Sequence, residues 1–105
     1  MDIVIGRRGD SLSGTALVKS IRVRTRFGTL TLEKKRVAWI HFGELDGELA
    51  DEVWLHAGDR LAGKVQGRGF KFRASSGGLL TIPYADVHTL MLNTTRDLRA
   101  ARLGG

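Results

Sequence analysis

Gly9-Asp10-Ser11-Leu12-Ser13-Gly14 returns further along the chain as Gly58-Asp59-Arg60-Leu61-Ala62-Gly63. Working outward from this pair, residues 2–28 align with 51–78 at an offset of 49, which becomes 50 after one extra glycine in the second copy. Asp2, Val4, Arg24, Gly28, Leu30, Thr31 and Val37 then match Asp51, Val53, Arg73, Gly78, Leu80, Thr81 and Val87, giving 11 identities in 41 compared positions. The matches fall on glycines and on one apolar face, as a duplicated supersecondary unit requires. Each copy reads as β-structure. Ile21-Arg22-Val23-Arg24-Thr25-Arg26-Phe27 alternates apolar and basic residues at period 2, and Phe70-Lys71-Phe72-Arg73 does the same. Thr29–Leu32 and Leu79–Ile82 are short β-rich segments, followed by Val37–Phe42 and Val87–Leu92. Gly9 and Gly58 mark turns. Gly14 and Gly63 fall inside strands, where a missing side chain marks a bend or a close backbone approach.

The expected fold is therefore all-β: two tandem small barrels of about five short strands each, with a short helical or frayed C-terminal tail. The boundaries are 1–43 for the first repeat, 44–50 for an acidic linker, 51–92 for the second repeat and 93–105 for a basic tail. The tail holds Thr95 as an N-cap and Arg99 and Arg102 for the last turn of a short helix. Each repeat is smaller than the roughly 60 residues at which an independent core becomes comfortable, so the two must share a core, pair edge strands or oligomerise.

The chain has 105 residues and a formal net charge of +6. It has no cysteine, which excludes disulfides and thiolate chemistry. No apolar run approaches the roughly 20 residues of a membrane span, and the N-terminus is too short and acidic for a secretory signal. A cytoplasmic protein without a membrane partner is the expectation. Gly43–Glu52 holds five of the 11 acids and no base, leaving +6 in residues 1–42 and +5 in residues 53–105. These acids either solvate a linker or lie against a basic face.

Catalytic constellations are missing. His41, His56 and His88 are scattered in sequence and not repeated between copies, so neither a metal site nor an acid–base pair is expected. Gly67-Arg68-Gly69 lacks the lysine and long helix of a phosphate loop. No cofactor and no enzymatic activity are expected. The bases are better organised. Arg22, Arg24 and Arg26 share one strand face, Lys71 and Arg73 hold matching places in the second copy, Arg68 lies in a neighbouring loop, and Lys34-Lys35-Arg36 fills a turn. Guanidinium groups about 7 Å apart along a strand suit successive phosphates. The same residues also suit a solvated or interfacial strand face. Phe27, Trp39, Trp54, Phe70, Phe72 and Tyr84 are the aromatic candidates for stacking, with most expected to alternate into the core.

The Gly9–Thr15 and Gly58–Lys64 segments resemble the glycine-spaced first motif of Sm-like (LSm) proteins. Leu32 followed by Val37-Ala38-Trp39-Ile40 looks like the end of that family's second motif. The resemblance implies a tandem repeat of small β-barrels that assemble into a homo-oligomer, ring or dimer, by pairing edge strands. It also implies binding of RNA or single-stranded DNA. Glu33-Lys34 and Pro83-Tyr84 stand where the family carries Arg-Gly, so its base pocket is not implied. The function expected is weak nucleic-acid binding, largely without sequence specificity, through the basic strand face. The alternative is a non-enzymatic assembly or scaffold module binding itself or an acidic protein partner.

Overall fold

The computed structural model describes residues 1–43 and 51–93. The expected linker 44–50 lies outside the described residues, as does the tail beyond Asn93. The described residues form ten strands: β1 (Asp2–Gly6), β2 (Ser11–Ala16), β3 (Ser20–Thr25), β4 (Gly28–Glu33), β5 (Val37–His41), β6 (Asp51–Leu55), β7 (Arg60–Val65), β8 (Gly69–Ala74), β9 (Leu79–Pro83) and β10 (Val87–Met91). Single 3-10 turns, Lys34–Arg36 and Tyr84–Asp86, precede β5 and β10. There is no α-helix among the described residues. All pairings are antiparallel, in one strongly curled half-barrel sheet of order β4-β3-β7-β6-β5-β10-β1-β2-β8-β9.

That order reads the same from either end once each strand is exchanged for its repeat counterpart, so a pseudo-twofold axis passes between β5 and β10. The strand pairing crosses the repeat boundary. One five-strand half consists of β3, β4 and β5 from the first copy with β6 and β7 from the second; the other consists of β8, β9 and β10 with β1 and β2. A barrel built from each repeat alone is therefore not what the pairing shows. Of the ways two small repeats can reach stability, sharing a core is the one found. A single cluster joins Val4, Ile21, Val23, Val37, Ile40 and Phe42 to Val53, Val65, Phe70, Phe72, Val87, Leu90 and Leu92.

Gly14 and Gly63 stand where the repeats join. Gly14 pairs with Asp2 of β1 and with Ala74 of β8, so β2 leaves one neighbour and meets the next at this residue. A Cβ on Gly14 would run into the Arg73 carbonyl oxygen. At Gly63 it would come within 2.5 Å of the Arg24 carbonyl oxygen and 2.8 Å of a Val23 methyl. Gly9 and Gly58, at φ 94° and 105°, close the β1–β2 and β6–β7 turns in a conformation that side chains disfavour.

A buried carboxylate fastens each half. Asp2, 1% exposed, accepts the Ala16 N–H at 2.8 Å and the Asn93 N–H at 2.9 Å. Its counterpart Asp51, 3% exposed, accepts the Val65 N–H at 2.9 Å and the Gly43 N–H at 3.1 Å. Each aspartate thus ties the end of its own repeat's second strand to the second residue past the fifth strand of the other repeat. Asp51 opens β6 and is buried, so this acid of the Gly43–Glu52 segment neither solvates a linker nor lies against a basic face. Charge-assisted bonds to backbone donors are what allow a carboxylate inside a core.

Candidate nucleic-acid interface

Period-2 alternation places Ile21 and Val23 in the core and leaves Arg22 and Arg24 exposed on the outward face of β3. The ladder sets Arg24 beside Lys64 of β7 and beside Thr29 of β4, with Arg22 beside Thr31. Lys71 and Arg73 are exposed on β8, beside Thr81 and Leu79 of β9, with Thr15 of β2 on the other side of Arg73. The two basic sets lie on opposite wings of the sheet, related by the pseudo-twofold axis. Lys64, half-buried and adjacent to Arg24, was missed in the sequence. Only the pairing of β7 with β3 brings it there.

The other sequence candidates divide. Arg26 is not on the strand face: β3 ends at Thr25, which pairs with Gly28, and Arg26-Phe27 forms the two-residue tip between β3 and β4. Phe27 is 93% exposed there rather than packed. The Thr25 hydroxyl holds the tip by donating to the Gly28 carbonyl at 2.8 Å and accepting the Phe27 N–H at 3.1 Å. Lys34 turns inward. Its Nζ lies 2.8 Å from Asp2 Oδ2 and donates to the Ala16 carbonyl at 2.9 Å, so its charge is committed to the fold. Lys35 sits 3.5 Å from Glu33, with both side chains well exposed, and Arg36 is exposed in the same turn. Arg68 is exposed in the loop before β8, where its carbonyl accepts the Tyr84 N–H.

Between the wings the outward face changes character. A register shift between Val37 and Trp39 turns both Ala38 and Trp39 outward while Val37 and Ile40 stay buried. Trp39 stacks on Trp54 of β6 with ring centroids 5.2 Å apart and an interplanar angle of 14°. The Arg60 guanidinium lies 5.8 Å from the Trp54 ring centroid and 3.0 Å from Glu52. Trp54 Nε1 is buried without an acceptor among the described residues. The matching shift at Ile5/Gly6, opposite β10, turns His88 and Thr89 outward. His41 and His88, distant in sequence, meet edge to face at 4.6 Å, with the Thr89 hydroxyl 2.9 Å from His88 Nδ1. No group of three metal-ligating side chains forms among the described residues. His56 is exposed in the β6–β7 turn.

Phe70, Phe72 and Tyr84 face inward, and Tyr84 stacks on Phe42 at 5.2 Å. Burial raises the Tyr84 phenol above its usual pKa. The outward surface therefore runs from a basic wing, across an aromatic centre, to a second basic wing. Chemically, such a surface can take anionic oxygens at its sides and flat rings at its middle. No family model, characterised protein or solved structure matches the chain, so the reading of this face rests on its own residues.

Proposed function

We propose that the protein binds single-stranded nucleic acid weakly and with little sequence preference across the outward face of its sheet. The observation that carries this reading is the cluster of Arg22, Arg24 and Lys64 on adjacent strands. None of the three makes an ion pair among the described residues. Lysines that are paired, such as Lys34, are removed from the earlier set. Phosphates meeting this cluster and its counterpart of Lys71 and Arg73 supply affinity without reading bases. Trp39 and Trp54 give stacking surface, which every base can use.

The finer architecture belongs to the same proposal. Each five-strand half, composed from both repeats, acts as one small Sm-like barrel, and copies of the chain associate through the sheet ends. Among the described residues β4 and β9 each have one partner strand, and Leu30, Leu79 and Leu80 are 43%, 57% and 41% exposed along them. This observation also favours the second reading, a self-assembling scaffold whose basic wings meet an acidic protein.

The test is binding of labelled single-stranded RNA and DNA over a salt series, with the mass of the same sample determined. The nucleic-acid reading expects saturable binding whose log–log salt slope loses about 0.7 for each phosphate contact removed, as in Arg22→Ala/Arg24→Ala. Binding that ignores this double substitution sinks the reading. A defined oligomer with no binding at low salt favours the scaffold.

A further inference from the structure

The pseudo-twofold axis relates a filled site to an empty one. In the first, the Lys34 ammonium lies on Asp2 Oδ2 and the Ala16 carbonyl, with its side chain 19% exposed. In the second, Asp51 is held by the same two kinds of backbone donor. Tyr84 stands at the position of Lys34, and its ring has swung against Phe42 and Phe70, at 5.2 and 5.6 Å. Among the described residues no ammonium takes its place. A cavity of about 290 Å³ remains, lined by Asp51, Val65 and Tyr84, with Arg7, Lys64 and Arg68 also in its wall.

The charges around this cavity are sorted by depth. Asp51 is 3% exposed and has no ion-pair partner among the described residues. Arg7 makes no direct contact with it, since its guanidinium donates to the carbonyls of Ala85 at 3.0 Å, Gly43 at 2.6 Å and Phe42 at 3.3 Å. Arg68 is exposed and Lys64 half-exposed, so their charges meet solvent at the rim. A plain anion would confront the buried carboxylate. A polyamine would confront the rim cations. A molecule with an ammonium at one end and an anionic group at the other satisfies both.

We propose that this cavity binds a small amine bearing an anionic group, of the ω-amino acid type. Its ammonium takes the place that Lys34 occupies in the other half, on Asp51 beside the Val65 carbonyl, and its anionic end meets Arg68 and Lys64. Lys64 is shared with the outward basic cluster, but the buried Asp51 and the cavity behind it are not part of that face, so small-molecule binding here is read separately from nucleic-acid binding.

The test is an amide NMR titration of the full chain with γ-aminobutyrate, butylamine and butyrate. The expected result is saturable shifts at Gly43 and Val65 with γ-aminobutyrate, and binding at least tenfold weaker with either single-ended analogue. Tyr84→Lys restores the internal ammonium and is expected to abolish these shifts while the rest of the spectrum persists. Arg68→Ala, at an exposed side chain, is expected to bring γ-aminobutyrate down to the affinity of butylamine. The proposal is overturned if γ-aminobutyrate gives no saturable shifts, if butyrate binds equally well, or if Arg68→Ala leaves its affinity unchanged.

Discussion

Replacing Asp2 by alanine tests whether the buried carboxylates hold the two repeats together. The substitution leaves the Ala16 and Asn93 N–H groups without their acceptor and strips the Lys34 ammonium of its counter-charge. Hydrogen bonds to a charged group contribute about 1.5–3 kcal/mol each. Removing one partner of a buried ion pair costs about 3–5 kcal/mol. Because the three contacts share one carboxylate, their losses overlap, and the expected destabilisation is about 4 kcal/mol rather than their sum. In urea unfolding followed by the fluorescence of Trp39 and Trp54, that loss lowers the midpoint by roughly 2 M at an unchanged slope. Asp51→Ala is the internal control, since among the described residues it removes two backbone bonds and no ion pair. Its cost falls below that of Asp2→Ala, at about 3 kcal/mol. Lys34→Met is milder still, because Asp51 shows that two backbone donors hold a carboxylate in this setting without a cation. An Asp2→Ala protein within about 1 kcal/mol of the parent would refute the reasoning.

Two further predictions concern backbone approach and the single tyrosine. Gly14→Ala forces the β2–β8 crossing apart and is expected to destabilise by more than about 3 kcal/mol, whereas alanine at the exposed position Ser13 changes stability by less than about 0.5 kcal/mol; thermal unfolding of the two variants side by side checks this. Tyr84 is the only tyrosine, and its folded pKa is raised above the unfolded value of 10.0, so its contribution is fully present below that value and is lost as pH rises through the folded pKa. An ultraviolet titration of the phenolate is expected to have its midpoint above 10.0, and Tyr84→Phe to flatten the alkaline fall in stability.

Much of the strand content was legible because one face of each strand is buried, and period 2 writes that face into the order of residues. Arg22 and Arg24 point outward for the same reason that Ile21 and Val23 point inward. Alternation names a face but not a neighbour, and so the crossing of β2 to β8 and of β7 to β3 could not be read. Lys64 beside Arg24 was lost with it. Trp39 escaped because a bulge adds one residue and reverses the alternation after Val37. Lys34 sits in a run of three bases that reads as a solvated turn. Its partner Asp2 is remote in sequence, at the other end of its own repeat. The pocket at Asp51 has no local signature either: the repeat alignment sets Tyr84 against Lys34, but only the fold puts Lys34 on Asp2 and leaves a cavity beside Asp51.

The interleaving of the strands changes what it means for this chain to be half made. When residues 1–43 have emerged from a ribosome, β2 and β3 still lack β8 and β7, and β1 lacks β10. No local hairpin closes the core, so ordering waits for the second copy, and the loop entropy of pairing Gly14 with Ala74 is met before the core rewards it. Until then the first repeat presents the same unpaired edges that the second repeat is built to fill. A neighbouring chain whose second copy has just emerged carries the strands that fill those edges too. Chains that meet before either has closed on itself are therefore expected to exchange repeats, each first copy taking the other chain's second copy in place of its own.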